Sequence, residues 1–280
     1  MTLDVMLIVL FAALLHATWN ALIKSASDKL LDSIMLCATA GLMALVVLPF
    51  LPMPAAASWI YLIASTAIHV VYFSLVAFAY RDADLSFVYP LMRGSAPLFT
   101  ALIATAALGE PLAWGGWLGV ILLSVGIGAL ALDGRRAANI PGRVWFFGLG
   151  NAAIIVSYTL VDGMGVRVSG NAWSYVLWLF ALTALPMLVI GWAARAKAIA
   201  TMRLGTCGKA FISGACTIAS YGLALWAMTQ APIALVAALR ETSVLFGTVI
   251  AALLLNEKFG RMRWLAASLM VAGAVAMKML

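Results

Sequence analysis

Charged side chains are scarce in this sequence: they make up 10% of its 280 residues, whereas hydrophobic residues make up 65%. A water-soluble domain of this size could not cover so much apolar surface. Cysteine is also rare, and Cys37, Cys207 and Cys216 show neither a CxxC motif nor a Cys/His spacing typical of metal sites. The chain has no GxxxxGK[ST] phosphate loop either. We therefore expect no structural disulfide, no metal, no cofactor and no energy supply from ATP at such a loop.

The chain consists largely of long apolar segments. Each is close to the ~20 residues that a helix needs to cross a bilayer. The first run begins at Leu3, beside Asp4, and lacks a small-residue cleavage site, so we interpret it as a retained helix rather than a signal peptide. Ten such segments are predicted, with short connections between them: 3–24, 32–51, 57–80, 85–108, 112–132, 144–168, 173–194, 210–229, 232–255 and 263–280.

The formal net charge of +7 comes from basic residues in the short loops, which favours a membrane surface over nucleic acid as their partner. If the ten segments cross the membrane in turn, thirteen lysines and arginines lie on one side, and only Arg167 and Lys278 lie on the other. The basic side of a membrane protein is normally cytoplasmic. The loop charges therefore predict that both chain termini lie outside.

An internal repeat links the two halves of the chain. Arg93, Phe99, Glu110, Trp117 and Gly126 recur 147 positions later as Arg240, Phe246, Glu257, Trp264 and Gly273. The fourth and fifth segments thus correspond to the ninth and tenth. Because the repeat unit contains five helices, an odd number, its second copy must enter the membrane from the opposite side, as in many secondary transporters. We predict an all-α membrane protein with ten transmembrane helices, arranged as two inverted five-helix repeats (1–132 and 144–280) joined by a basic loop (133–143) around a central cavity.

The first helix contains LLHATWNALIK, and GE and NE close the fourth and ninth helices. With the inverted repeat, these features resemble the drug/metabolite transporter superfamily, in particular its EamA-type ten-helix exporters. The YddG-type aromatic amino-acid exporters are a candidate subgroup. The resemblance covers the whole chain and implies a basket of ten helices that works by alternating access. It also implies cytoplasmic termini, in contrast to the loop charges, so the orientation stays open.

Two arginines, Arg93 and Arg240, lie inside apolar segments at equivalent positions of the repeats. An arginine at the centre of a membrane helix costs ~2.5–3.5 kcal/mol and needs a partner. One interpretation is that one or both bind a substrate carboxylate through the bidentate guanidinium. The alternative is structural: Arg93 pairs with Glu241, or with backbone carbonyls, and holds the fourth and ninth helices together.

Further candidates for substrate contact are polar or aromatic residues within the predicted helices. Such residues can equally serve packing or hydrogen bonds between helices, and His16, His69 and Glu241 are also candidates for proton coupling. Glu110 and Glu257, at helix ends, are expected to brace neighbouring elements. The predicted substrate-binding residues are His16, Trp19, Asn20, His69, Tyr72, Tyr89, Arg93, Tyr158, Trp178, Tyr221, Arg240 and Glu241.

Together these features predict a secondary exporter of small amphipathic metabolites, most of all amino acids including aromatic ones. Its expected partners are the small-molecule substrate, the lipid of a bacterial inner membrane, and protons as candidate coupling ions. An exporter of cationic drugs or other metabolites is the alternative within the same class. Two other classes of protein are an intramembrane enzyme built on Ser95 and a non-transporting sensor. The sequence pattern favours neither, and no catalytic residue is predicted.

Overall fold

The computed structural model describes residues 1–24, 28–82, 85–134, 142–200, 204–255 and 260–279. Across these ranges the chain forms α-helices and two short 3₁₀ turns, at Leu48–Phe50 and Ala56–Ser58, and contains no β-strand. The helices are α1 (Leu3–Lys24), α2 (Lys29–Val47), α3 (Trp59–Asp82), α4 (Leu85–Ala107), α5 (Trp114–Gly134), α6 (Gly142–Val168), α7 (Ala172–Ala200), α8 (Leu204–Met228), α9 (Ile233–Arg240), α10 (Ser243–Leu255) and α11 (Arg261–Met279).

Nine of the ten predicted segments each correspond to one helix, and the ninth is divided into α9 and α10. At the division the backbone amides of Glu241 and Thr242 bond the carbonyls of Ala238 and Leu239, three residues back, at 3.1 and 3.0 Å. The Thr242 hydroxyl also donates to the Leu239 carbonyl, at 2.6 Å. These tight local bonds replace the regular helical ladder. The fold is all-α, as predicted, but its ninth span consists of two half-helices.

The contacts between helices follow the repeat. α1 packs on α8 as its counterpart α6 packs on α3, and α4 packs on α6 as the divided ninth span packs on α1. Two other large interfaces join an element to its own counterpart, α2 to α7 and α5 to α11, and α4 also packs extensively on α5. Exchanging the two five-helix halves therefore reproduces several of the main contacts, as expected for related repeats.

The outer surface of the bundle is apolar. Large side chains such as Phe50, Ile60, Trp114 and Val189 are exposed on it. Among the described residues, seven helices are long and apolar enough to cross a membrane. An apolar exterior of this extent suits lipid rather than water.

Two glycines allow α5 and α11 to touch through their backbones. A Cβ atom at Gly119 would lie 2.7 Å from the Gly273 carbonyl oxygen and 2.3 Å from Met277 Cγ, and one at Gly273 would lie 2.8 Å from the Gly119 carbonyl oxygen. Backbone atoms cannot move aside as a flexible side chain can, so this crossing requires glycine at both positions.

Replacement of Gly119 by valine should therefore destabilise the protein by about 1–3 kcal/mol, the usual cost of forcing extra volume into a packed interior. The measurement is thermal unfolding of the detergent-solubilised protein. Gly128→Val, in the same helix, is the matched control, because a Cβ at Gly128 would meet nothing within 4 Å. Equal melting temperatures for the two variants would show that the α5–α11 crossing is not tightly packed.

Candidate functional site

The larger of two pockets lies where the two halves meet and comprises about 430 Å³ of empty space, which includes open solvent. Its wall is built from α1, α3, α6, α7, α8 and the end of α9. Seven of the predicted binding residues contribute to it, together with three residues that the sequence did not single out. The lining residues are His16, Trp19, His69, Tyr72, Tyr158, Phe180, Thr217, Ser220, Tyr221 and Arg240.

A second, smaller cavity, with about 240 Å³ of empty space that includes open solvent, adjoins the first. Tyr158 and Arg240 line both cavities, so their side chains stand between them. The other lining residues of the smaller cavity come from α4, α6 and the break after α9: Ala96, Pro97, Thr100, Ile155, Thr159, Ala237 and Glu241. We call the two cavities together the central chamber.

Arg240 supplies the chamber with a positive charge. The side chain is the last residue of α9, only 6% exposed, and its guanidinium carbon lies 5.0 Å from the centre of the Tyr221 ring. Such a cation–π contact offsets part of the desolvation of the guanidinium. Within the described part of the chain Arg240 forms no ion pair, and its buried Nε has no hydrogen-bond acceptor. The described residues thus leave this buried cation without a matching anion, which is costly unless a ligand supplies one.

Arg93 is in a different situation, because its charge is neutralised within the protein. Its side chain is 2% exposed, and its Nη1 donates to Glu241 Oε1 at 2.9 Å. Nη2 of the same guanidinium contacts His16 Nε2, which must be the acceptor since arginine can only donate. The structure therefore contains the Arg93–Glu241 pair of the structural alternative. Through this pair and the contact with His16, Arg93 holds α4 against the ninth span and α1.

Glu241 faces both the ion pair and the chamber. Oε1 accepts from Arg93, whereas Oε2 is buried and has no hydrogen-bond partner among the described residues. The residue lines the smaller cavity, beside Arg240. Two residues that line the smaller cavity thus each carry one buried polar atom without a hydrogen-bond partner among the described residues, Nε of Arg240 and Oε2 of Glu241.

Aromatic rings from several helices form a continuous surface in the larger cavity. Tyr158 of α6 is central: its ring centre lies 4.6 Å from that of His69, 5.6 Å from that of Tyr72 and 6.3 Å from that of Tyr221. Phe180 of α7 approaches the Tyr221 ring edge-on, at 6.2 Å. Rings at these separations and angles pack favourably with one another, and equally with an inserted aromatic group.

Among the described side chains, Asn20, Arg93 and Trp178 are predicted binding residues that do not line the chamber. The Asn20 amide donates to the His16 carbonyl at 2.9 Å, within its own helix. Trp178 packs edge-on against Trp59, with ring centres 5.1 Å apart. The side chain of Tyr89 lies outside the described residues, as does that of Glu257.

The residues missed from sequence are Phe180, Thr217, Ser220 and, in the smaller cavity, Thr100 and Thr159. Thr217, Ser220 and Tyr221 are spaced by three and four positions on α8, which places them on one helix face. That spacing could have indicated the two hydroxyl groups, because Tyr221 was already a candidate. No comparable signal marks Phe180, since phenylalanine is common in an apolar helix.

A polar cluster, which we call the Glu110 lock, joins several elements at one end of the bundle. Glu110 pairs with Arg167 of α6, and its Oε2 accepts from the backbone amide of Ile233, the first residue of α9, at 2.9 Å. Arg167 also donates to the carbonyls of Met228 and Ala231, at 2.7 and 3.0 Å. The lock ties α6, the α8–α9 turn and the loop after α4 together, as expected for a bracing role of Glu110.

Apolar helices in two related halves, with a charged chamber between them and one span broken beside it, define a multi-pass membrane protein with the architecture of a transporter. The sequence comparisons agree. The chain matches the EamA-like transporter family over residues 4–132 and again over residues 143–279, and it belongs to that family. It is therefore a membrane transporter of small solutes and not an enzyme.

A solved structure entitled "Crystal structure of protein" is similar in fold, with a TM-score of 0.74. The two chains share 16% sequence identity, and the similarity covers 97% of this chain and 94% of the other. At this level of identity the likeness concerns the fold alone. No curated protein matches the chain.

Proposed function

We propose that this transporter is an exporter of small amphipathic metabolites, most of all amino acids including aromatic ones, in a bacterial inner membrane. The observation that carries the proposal is Arg240, a buried cation that pairs with no anion of the described residues and lies over a tyrosine ring at the junction of the two cavities. A carboxylate is the natural ligand for such a guanidinium, because its two oxygens match the two parallel N–H groups.

The surroundings of Arg240 support a zwitterion in particular. Glu241 lines the smaller cavity, and we infer that its buried Oε2, which has no partner among the described residues, accepts from the ammonium group of a bound amino acid. The aromatic surface around Tyr158 then receives the side chain. The three parts of an aromatic amino acid (carboxylate, ammonium and ring) each find a chemical complement in the chamber. The same features support the YddG-type exporters as the subgroup.

A cationic drug is the less suitable cargo. Its charge would lie close to Arg240, and a cation without a carboxylate could not neutralise that guanidinium as a zwitterion can. Like charges brought together in a desolvated site cost several kcal/mol at separations of a few ångströms, by the order-of-magnitude Coulomb relation. The positive charge at the chamber thus selects against cations.

Alternating access is the mechanism that we propose for this fold. The Glu110 lock holds the elements of one end together, and the divided ninth span supplies a joint beside the site. Broken helices next to a mid-membrane site, in two related repeats, are typical of carriers that rock around a fixed binding position. The energy then comes from a proton gradient or from the gradient of the cargo.

Counterflow in proteoliposomes tests the substrate. Vesicles loaded with unlabelled phenylalanine should take up labelled phenylalanine, tyrosine and tryptophan. Phenylpropionate, which lacks the ammonium group, should compete less well, and phenethylamine, which lacks the carboxylate, should not compete. Competition by phenethylamine, with no exchange of any amino acid, would defeat the proposal.

A further inference from the structure

Asp162 of α6 forms a buried polar cluster beside the chamber. The side chain is fully buried (0% exposed); its Oδ1 accepts from the Tyr175 hydroxyl at 2.9 Å, and its Oδ2 accepts from the Tyr221 hydroxyl. The hydroxyl of Ser65 also contacts this carboxylate. The three donors come from α7, α8 and α3, so Asp162 connects four helices of the bundle. No lysine or arginine of the described ranges forms an ion pair with it.

Two residues connect this cluster to the larger cavity. His69 lines the cavity, and its Nδ1 lies 2.9 Å from the Ser65 carbonyl oxygen and 3.0 Å from the Ser65 hydroxyl. Because a carbonyl oxygen can only accept, Nδ1 must carry the proton, and Ser65 stands between the imidazole and Asp162. Tyr221 is the second connection, since it lines the same cavity and donates to Asp162.

We propose that Asp162 is a proton-binding site of the transport cycle, filled from the chamber through His69 and Ser65. This inference rests on the proposed function, because the site is coupled to the substrate. A proton from chamber water bonds to a carboxylate oxygen of Asp162 and leaves again when the chamber opens to the other side, and no other bond is made or broken. Hydroxyl donors alone do not compensate the burial of a full negative charge, and uptake of a proton removes that cost.

The proton and the substrate are coupled through Tyr221. The hydroxyl of this residue donates to Asp162, while its ring face lies under the Arg240 guanidinium. A substrate carboxylate on Arg240 adds a negative charge on the other side of the Tyr221 ring and so disfavours ionised Asp162. Substrate binding then promotes proton uptake, and the proton leaves together with the exported cargo, driven by the gradient of the cargo. Coupling of this kind is reciprocal: proton binding must strengthen substrate binding by the same factor. The titratable or charged groups facing the cluster are Tyr61 and His69 on α3, Tyr158 on α6, Tyr175 on α7, Tyr221 on α8 and Arg240 on α9.

Titration calorimetry on the purified protein tests the coupling directly. Phenylalanine is titrated into the protein in two buffers of different ionisation enthalpy, and the difference in heat gives the number of protons exchanged. The wild type should take up a proton on binding, and its affinity should rise as the pH falls, by at most about tenfold per pH unit for one linked proton. Asp162→Asn should take up none, and its affinity should vary little with pH.

Two further variants make the result specific to Asp162. Tyr175→Phe removes one donor to the carboxylate and leaves the charge in place, so the pH at which affinity changes should move upward. Asp32→Asn, a half-buried carboxylate on α2 away from the chamber, should behave as the wild type. An unchanged pH dependence in Asp162→Asn would overturn the inference, as would an equal effect of Asp32→Asn.

Infrared difference spectroscopy separates this inference from the proposed function. The carboxyl band of Asp162 should appear on acidification of the ligand-free wild type and be absent from Asp162→Asn. If no amino acid binds but this band titrates, the substrate proposal fails while the proton site stands. If amino acids exchange and no band titrates with pH, the proton site is wrong and the substrate proposal stands.

Discussion

Replacement of Arg240 by glutamine should raise the substrate concentration for half-maximal exchange by roughly 10- to 100-fold. A hydrogen bond to a charged group contributes about 1.5–3 kcal/mol, and each 1.4 kcal/mol corresponds to a factor of ten in affinity. Glutamine keeps two N–H donors but loses the charge and the planar fork of the guanidinium. Arg240→Lys, which keeps the charge alone, should fall between the wild type and Arg240→Gln. The measurement is the concentration dependence of phenylalanine counterflow.

Arg195→Gln is the matched control for this substitution. Arg195 donates to Asp28 at 2.9 Å, and both side chains are substantially exposed at one end of the bundle. Exposed ion pairs contribute about 0–1 kcal/mol, so this variant should exchange substrate at nearly the wild-type rate. If Arg240→Gln and Arg195→Gln have the same half-saturating concentration, Arg240 does not bind the substrate.

The second large effect concerns stability rather than transport. Arg93→Met should lower the free energy of unfolding by about 3–5 kcal/mol, because it leaves the buried Glu241 carboxylate without its counter-charge. The same substitution removes the contact of Arg93 with His16, which joins α4 to α1. Thermal unfolding in detergent, followed by circular dichroism, measures the loss.

A double variant distinguishes an unpaired charge from a simple packing defect. Arg93→Met combined with Glu241→Leu removes both charges and should recover most of the lost stability, since apolar replacement of a whole buried ion pair is often close to neutral. A double-mutant cycle over the four proteins then gives the coupling energy between the two side chains. Additive losses in the double variant would contradict a direct interaction between Arg93 and Glu241.

The repeat made the importance of Arg93 and Arg240 predictable, but not the difference between their environments. The position equivalent to Glu241 in the first repeat is Gly94, where a Cβ would lie 3.3 Å from Ile127 Cγ2 and 3.4 Å from the Gly128 backbone nitrogen. The first-half position equivalent to Glu241 therefore has no carboxylate to offer Arg240, whereas Glu241 of the second half neutralises Arg93. Which of two equivalent arginines is paired depends on contacts across the halves, and these follow from the folded geometry.

Other features could not be predicted from the sequence because they depend on individual hydrogen bonds. The apolar pattern continues through residues 232–255, so nothing in the hydropathy marks the break at Glu241 and Thr242, which depends on one hydroxyl competing for a backbone carbonyl. Asn20 shares a helix face with His16, but helical spacing does not reveal that its amide bonds within its own helix. The long, strongly apolar segments were predictable because length and hydropathy alone determine them.

The break divides the ninth span into two helices, α9 and α10, which differ in how firmly neighbouring residues hold them. Glu110 accepts a hydrogen bond from the amide of the first residue of α9, and the Arg93–Glu241 ion pair holds the chain just after the last residue of α9. α9 is therefore held at both ends. α10 begins beyond this ion pair and is connected to α9 through a joint rather than through a continuous helical ladder. We propose that α10 rotates about this joint while the charged residues that line the chamber keep their positions. One side of the chamber would then open without loss of the binding site.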